Sequence, residues 1–328
     1  MQTMTNIIRD RARALMAEGK ANRLIGWKVG EFFFDRAPAV FDSPESLDEL
    51  IVDSFSAPNL SKYLIEESRK EGKIIALIKP CDSFSFNQLV KEHRINRENV
   101  YVMAIPCGGM LDIDKIRAQG VKGLRGVSET ESGEVAVDSV YGEKRFPRAG
   151  VLMEKCLFCK SLEHAVADEK IDFPVSELDR GDRFEQVSRL EGMSAQERFD
   201  FWRGELSRCI RCNACRNVCP ACSCIQCVFD NPASGVAAKS NADDFEENMF
   251  HIIRAFHVAG RCTDCGECSR VCPQHIPLHL LNRKFIKDIN ELYGEYQAGA
   301  DTESRAPLTD YTKTDAEPGV VYERGGKG

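Results

Sequence analysis

Cysteine is the residue whose number and spacing point to chemistry in this 328-residue chain, which contains 15 of them and none before Cys81. Eight form two strings with the same spacing, C-x-x-C-x-x-C-x-x-x-C-P. The first string consists of Cys209, Cys212, Cys215, Cys219 and Pro220, and the second of Cys262, Cys265, Cys268, Cys272 and Pro273. An odd number of clustered cysteines, behind an N-terminus without an apolar signal segment, argues against a disulfide framework and for metal binding.

The two strings predict two cubane 4Fe–4S clusters. In ferredoxins with paired strings, the fourth cysteine of each string ligates the other cluster. Cluster 1 is therefore assigned Cys209, Cys212, Cys215 and Cys272, and cluster 2 is assigned Cys262, Cys265, Cys268 and Cys219. The alternative is a pair of zinc sites, because C-x-x-C pairs also suit tetrahedral zinc. Three cysteines at two-residue gaps, then a fourth followed by proline, favour iron–sulfur clusters.

Four cysteines upstream predict a third cluster. Cys81 and Cys107 each follow an apolar run typical of a buried strand, and Cys156 and Cys159 form a C-x-x-C pair. Open α/β sheets place ligands beyond the carboxyl ends of neighbouring strands. Together these cysteines supply four thiolates, enough for one more cubane. The alternative is a structural role, since free cysteine is often simply buried.

Three cysteines remain, Cys222, Cys224 and Cys227. A fourth metal site would need another ligand, such as His251 or His275, because a metal site requires a complete ligand set. The favoured interpretation is that the three pack near a cluster and exclude water.

The elements that must position the cysteines are of two kinds. Strands are predicted at Lys73–Pro80 and Asn99–Pro106, with a helix at Ser83–His93 between them, which favours a parallel, right-handed crossover. A further helix is predicted at Ser43–Ser54, because Ser43 and Pro44 are typical of a helix start. The predicted fold class is an α/β N-terminal domain followed by an α-helical ferredoxin-like dicluster domain.

A helix is also predicted between the two strings, at Asp243–Val258. Its apolar face is formed by Phe245, Met249, Ile252, Ile253 and Phe256. His251 is expected on the surface. His257 is a candidate to point near a cluster, although core or surface roles are favoured over ligation.

The domain organisation follows from these elements. The predicted segments are 1–172, an α/β domain with the third 4Fe–4S site; 173–204, a helical connector; 205–295, a dicluster ferredoxin domain; and 296–328, a polar C-terminal tail.

Composition excludes some functions. The net charge of −7 argues against a nucleic-acid or anionic-membrane surface. No run of about 18 apolar residues is present, so we expect no membrane insertion and a cytoplasmic location. FAD is not supported by a motif, because the chain lacks a G-x-G-x-x-G fingerprint.

The upstream pattern resembles a known family, the β-subunits of deazaflavin (coenzyme F-420) hydrogenases and dehydrogenases, which include formate dehydrogenase β-subunits. The residues that carry the resemblance are Pro80, Cys81, Cys107, Gly109, Cys156 and Cys159. It implies a cluster on cysteines of this type; many members add FAD and reduce the deazaflavin. Residues 205–292 resemble the α-helical ferredoxin modules of succinate dehydrogenase iron–sulfur subunits and heterodisulfide reductase C subunits.

These observations predict an iron–sulfur electron-transfer subunit of an anaerobic multi-subunit oxidoreductase, with no catalytic residues of its own. The resemblance implies two partners: a catalytic subunit of formate dehydrogenase or hydrogenase type, and a heterodisulfide-reductase-like flavoprotein. One alternative is a flavin-containing β-subunit that itself reduces a deazaflavin or another two-electron acceptor. The other is a metal-stabilised scaffold without redox work.

Overall fold

The computed structural model describes residues 3–130, 133–231 and 244–308. Its helices are α1 Met4–Ala17, α2 Leu64–Glu67, α3 Pro80–Lys91, α4 Ile113–Ala118, α5 Glu154–Leu157, α6 Glu185–Glu191, α7 Ala195–Leu206, α8 Ala214–Val218, α9 Asp244–His257, α10 Glu267–Arg270 and α11 Leu278–Tyr293. Its strands are β1 Arg23–Val29, β2 Arg36–Phe41, β3 Ile74–Ile78, β4 Val100–Ala104, β5 Leu124–Glu129, β6 Glu134–Ser139, β7 Lys144–Pro147 and β8 Glu169–Lys170. The N-terminal region is α/β and the C-terminal region is helical, as predicted.

The N-terminal region is built on a five-stranded sheet of order β2-β1-β3-β4-β8. Strands β3 and β4 are parallel neighbours with α3 between them in sequence, which confirms the predicted crossover. All of β3 is buried, as expected for a parallel strand covered on both faces. Pro80 begins α3, where its missing N–H costs nothing, and this places Cys81 directly after the end of β3.

The helix predicted at Ser43–Ser54 is wrong. Only Ser46–Glu49 forms a short 3-10 turn, and Leu50 is already extended. The backbone N–H of Ile51 donates to the carbonyl of Trp27 at 2.9 Å, and Leu50 packs closely over Gly26. Tertiary contact with β1 therefore overrides the local helical signal.

A second, antiparallel sheet of order β5-β6-β7 supports the loop that carries Cys107. Arg148, which follows β7, donates to the carbonyl of Gly109 at 3.1 Å and pairs with Glu129 of β5 at 2.9 Å. Since Arg148 is buried, these contacts fix the loop against the small sheet.

The helical region packs α7, α8, α9, α10 and α11 around the cysteine strings. Helix α9 forms at the predicted position, but its predicted buried face is wrong. Phe245 is 71% exposed and Phe256 is 62% exposed, whereas Phe250, His251 and Arg254 are buried. The face that packs against the cysteines is thus largely polar.

Helix α7 runs through residue 204, so the predicted connector and dicluster segments share a helix. The segment bounds themselves stay a prediction. Among the described residues, none of the helices is long and apolar enough to cross a membrane.

The first part of the predicted tail packs back onto the protein. The hydroxyl of Tyr296 donates to the carbonyl of Gly260 at 3.1 Å, and Ala298 is buried. Gly299 lies so close to α3 that a Cβ would stand 1.8 Å from the carbonyl oxygen of Phe84. Residues 309–328 lie outside the described part of the chain.

Replacing Gly299 by Ala is expected to release this segment, because the added Cβ meets backbone as well as a φ of +75°. Gly294→Ala is the matched control, since its φ is +89° but nothing lies within 4 Å of the added Cβ. Trypsin cleavage at Arg305 measures release. Each 1.4 kcal/mol of lost docking should accelerate cleavage about tenfold. Equal rates in the two variants would contradict the packing argument.

Candidate metal centres

The two cysteine strings share an unusual backbone conformation. Arg211 and Asp264, at equivalent positions, have φ values of +51° and +55°, and Asn213 and Gly266 have +61° and +69°. Alternation of right- and left-handed residues turns successive N–H groups towards one point, which makes an anion-binding concavity of the kind found at iron–sulfur sites. The repeat seen in the sequence is therefore also a repeat of backbone geometry.

The fourth cysteine of each string lies with the other string. Cys272 and Cys212 are close enough to Cys215 that their charges add to the rise in its pKa, which burial mainly causes. Cys219, in turn, acts on all three leading cysteines of the second string: Cys262, Cys265 and Cys268. This is the arrangement that exchanged ligands require, although the ligand assignment itself stays a prediction.

The donors fit the group that the strings imply. Burial raises the pKa of Cys262, Cys265 and Cys268 to about 12, so these thiols would not ionise without a compensating cation. Bound iron supplies that charge. Hydrogen-bond donors are also in place: the N–H of Arg211 donates to Cys209 Sγ at 3.4 Å, and Asn282 Nδ2 donates to Cys268 Sγ at 3.7 Å.

The upstream cysteines meet at the ends of β3 and β4. One small cavity is lined by Cys81, Cys107, Cys156 and Cys159. The N–H of Gly109 donates to Cys107 Sγ at 3.4 Å, and the N–H of Met110 donates to Cys156 Sγ at 3.3 Å. Burial raises the pKa of Cys107 to about 12. These residues fit a cluster as the strings do, and their role as ligands stays a prediction.

Buried cations surround the upstream cavity. Lys79, one of its lining residues, is 1% exposed and pairs with Asp82 at 2.8 Å. Its Nζ also lies 4.3 Å from the ring centroid of Trp27. Burial raises the pKa of Cys81 and Cys107; Asp82 adds to the rise at Cys81, and Lys79 opposes the rise at both cysteines.

An ion triad centred on the buried Glu267 joins the α/β region to the second string. Glu267, between Cys265 and Cys268, pairs with Lys155 at 2.6 Å and with Arg270 at 2.7 Å. Lys155 directly precedes Cys156 in the chain, so the triad ties an upstream cysteine to the second string. Cys265 itself also lines the upstream cavity.

A second buried group holds the same string from the other side. Asp264 is buried and pairs with Arg183 at 2.8 Å and with Arg283 of α11 at 3.1 Å. These two arginines keep its pKa low despite burial. The residue between Cys262 and Cys265 is thereby fixed to the connector and to α11.

The prediction that His251 of α9 lies on the surface is wrong, whereas His257 has the surface position favoured over ligation. His251 is 2% exposed and its Nε2 lies 3.2 Å from Cys209 Sγ, whereas His257 is exposed. Within the described ranges, Cys209, Glu247 and His251 are the single group of three potential ligands whose donor atoms lie within 4.8 Å of one another. No periodicity signal would have found this group, since Glu247 and His251 lie on the polar face of α9 and Cys209 follows α7.

The three remaining cysteines do not assemble with a histidine in the part of the chain that the structure describes. Cys222 is half-buried and contacts Cys219, while Cys224 is exposed. A cubane spaces its thiolates more widely than one tetrahedral ion does, so close approach of three donors is not expected at the cluster sites. The alternative of a site combining Cys222, Cys224 and Cys227 with His251 gains no support, because His251 lies against Cys209.

The comparisons with known proteins bear on both regions. The 4Fe-4S dicluster domain family matches residues 205–276. The F420-dependent formate dehydrogenase subunit beta of Methanocaldococcus jannaschii is 24% identical over 87% of this chain and 89% of its own. The F420-dependent formate dehydrogenase 1 subunit beta of Methanococcus maripaludis is 24% identical over 90% of each. The chain is homologous to these beta subunits. The likeness therefore extends well beyond the cysteine strings, and the resemblance seen in the sequence is confirmed.

Two further matches are partial. A putative ferredoxin-3 of Sinorhizobium fredii is 32% identical over 22% of this chain and 70% of its own. A chain of the F420-reducing [NiFe] hydrogenase complex of Methanosarcina barkeri matches with 15% identity and a TM-score of 0.38, covering 47% of this chain and 58% of that one. The 4Fe–4S dicluster domain is thus confirmed by the family match, while a third cluster and FAD are not tested by it.

The repeated backbone conformation predicts unequal tolerance at two equivalent positions. Asn213→Gly should keep its iron, because Gly adopts a φ of +61° without strain. Gly266→Asn should lose iron and about 1–3 kcal/mol of stability, because a Cβ there stands 2.5 Å from Lys155 Cβ. Iron content and thermal unfolding check both variants. Full iron and an unchanged melting temperature in Gly266→Asn would contradict the close packing.

Proposed function

We propose that the chain is an iron–sulfur electron-transfer subunit of an anaerobic multi-subunit oxidoreductase. The observation that carries the proposal is the match of residues 205–276 to the 4Fe-4S dicluster domain, in a chain that is similar to formate dehydrogenase beta subunits over most of its length. When bound, each 4Fe–4S cluster takes up and releases a single electron. The protein's part is to exclude water, supply N–H donors and cations, and hold the sites close together.

Three adjacent sites support a relay. Cys265, assigned to cluster 2, also lines the upstream cavity. Cys215, assigned to cluster 1, is near enough to Cys268 of cluster 2 to raise its pKa further. We place cluster 2 between the upstream site and cluster 1, so that electrons would cross the chain in that order or its reverse. Cys212 is exposed, which puts cluster 1 near the surface, where a partner would exchange electrons.

One proposed partner is suggested by the relatives, and the other by the resemblance of residues 205–292 to heterodisulfide reductase C subunits. The two beta subunits are named as parts of F420-dependent formate dehydrogenases. We infer a catalytic subunit of formate dehydrogenase or hydrogenase type on one side of the relay, and a heterodisulfide-reductase-like flavoprotein on the other.

We also propose that 205–295 has the α-helical ferredoxin fold. It would lie between a connector at 173–204 and a tail at 296–328, and the segment 1–172 would carry the third site.

A second candidate is a flavin-containing subunit that itself reduces a deazaflavin or another two-electron acceptor. A cavity of about 790 Å³ beside the triad favours it, and this volume is sufficient for a cofactor. Its lining includes Arg36, Lys115, Lys155, Arg270 and His275. Five carboxylates also line it, those of Glu31, Asp35, Asp112, Asp114 and Glu154, so the size of the cavity and not its charge supports this candidate.

Replacing Cys107 by Ala is expected to remove one cluster. The full chain should bind about twelve iron atoms anaerobically, three cubanes' worth, and the variant about eight, because one cubane loses a ligand. Cys224→Ala is the control, since Cys224 is exposed and unassigned, and its iron content should not change. Unchanged iron and an unchanged reduced EPR spectrum in Cys107→Ala would make the upstream cysteines structural. Zinc in place of iron would favour the scaffold.

The carrier and the flavoenzyme differ in what the isolated chain holds. A carrier should show cluster absorption without stoichiometric flavin after anaerobic desalting, accept electrons from dithionite, and turn over substrate only with partner subunits added. Flavin analysis of the acid-released cofactor and deazaflavin reduction with an artificial donor distinguish the two. Stoichiometric flavin together with deazaflavin reduction by the single chain would replace the carrier by the flavoenzyme.

A further inference from the structure

Arg254 of α9 is a buried cation without an acidic partner. It is 4% exposed, and within the described residues it forms no ion pair with a carboxylate. One guanidinium nitrogen donates to the carbonyl of Cys215 at 3.1 Å, while its Nε has no hydrogen-bond partner in the same part of the chain. An unpaired buried charge costs several kcal/mol, so a compensating anion is expected beside it.

The groups near Arg254 include thiols of both strings and that of Cys222. One helical turn beyond Arg254, Val258 packs with Cys219, and its carbonyl accepts the backbone N–H of Cys262 at 2.8 Å. Burial lowers the pKa of Arg254, but the thiols of Cys219, Cys268, Cys222 and Cys215 raise it overall. Conversely, Arg254 opposes the burial-driven rise in the pKa of Cys215 and Cys268. The side chain therefore lies where the two predicted ligand sets approach each other.

We propose that Arg254 is the shared counter-cation of clusters 1 and 2 and sets the reduction potential of both. The inference rests on the proposed function, since it requires that both clusters be bound. A 4Fe–4S cluster with four thiolates is anionic and gains a further negative charge on reduction. A buried positive charge stabilises the reduced form more than the oxidised form, which raises the potential. Arg254 is a positioning residue in this role, because it acts on the clusters through their thiolates.

Other cations near the strings are less suited to this role. Lys62 also forms no ion pair within the described residues, but it is only half-buried and its Nζ donates to the carbonyls of Arg216 and Cys222 at 3.2 and 2.9 Å. Arg283 and Arg183 are paired with Asp264, and Arg270 is paired with Glu267. Their charges are balanced by carboxylates before any cluster binds. Arg254 lies beside thiols and has no carboxylate partner within the described residues, so no neighbouring negative side chain offsets its effect on the clusters.

The test is a redox titration of the reconstituted full chain, followed by EPR, in Arg254→Gln, Arg254→Lys and a control. Arg254→Gln should shift both dicluster potentials to more negative values, and Arg254→Lys should keep them close to wild type. Arg208→Gln is the control. This substitution removes the same charge next to Cys209, but Arg208 is exposed and paired with Glu205. Solvent screens its charge, so little shift is expected.

Each outcome separates the two proposals. Wild-type protein without iron would reject the proposed function itself. Iron-loaded Arg254→Gln with both potentials unchanged would overturn the role of Arg254 and leave the carrier function intact. If Arg254→Gln fails to hold the clusters, Arg254→Lys is the deciding variant. Two bound clusters with near wild-type potentials in Arg254→Lys would support the requirement for a positive charge at this position. Loss of the clusters in Arg254→Lys would overturn that requirement.

Discussion

Burial of thiolate charge is the constraint on which the rest of this structure depends. Cysteines placed in a low-dielectric interior remain protonated unless cations and hydrogen-bond donors surround them. The chain meets this need at three levels: converging backbone N–H groups in each string, buried Lys79 and Lys155 at the upstream site, and Arg254 at the dicluster site. Asp264 and Glu267 are acidic residues next to cysteines. Each of them forms ion pairs with two basic side chains, so neither adds net negative charge beside the thiols.

The same charges also hold the two regions together. Glu267 lies between two cysteines of the second string and is paired with Lys155, whose neighbour Cys156 belongs to the upstream group. Glu92 of the α/β region pairs with Arg261, which directly precedes Cys262, at 2.5 Å. Buried ion pairs contribute little net stability, but they specify geometry when removal of one partner leaves an uncompensated charge. These pairs thereby fix the spacing between the upstream cysteines and the second string.

The sequence was most informative where chemistry dictates spacing. The gaps between cysteines predicted the 4Fe–4S dicluster domain. Short apolar runs predicted β3 and β4, because a buried parallel strand has to be apolar along its whole length. It was least informative where tertiary contact decides. Leu50 leaves its predicted helix to pack on Gly26, and α9 turns Phe245 and Phe256 outwards to bury His251 and Arg254. A hydrophobic-periodicity argument assumes that the buried face is apolar, and this assumption fails where the core contains thiols that require polar partners.

The exposed apolar face of α9 results from the orientation that brings the polar side of this helix to the cysteines. Burying Phe245, Met249 and Ile252 would have turned Arg254 and His251 away from the cysteines, because residues on opposite sides of one helix cannot share a core. The helix therefore gives up apolar burial inside the chain in order to bring its polar side to the strings. The surface that results, together with Phe199 and Trp202 of α7, lines an apolar groove. Leu206, at the end of the same α7, packs in one core with Cys209 and Cys215. The placement of charge at the buried sites and the exposure of apolar side chains beside them are thus two results of one helix orientation.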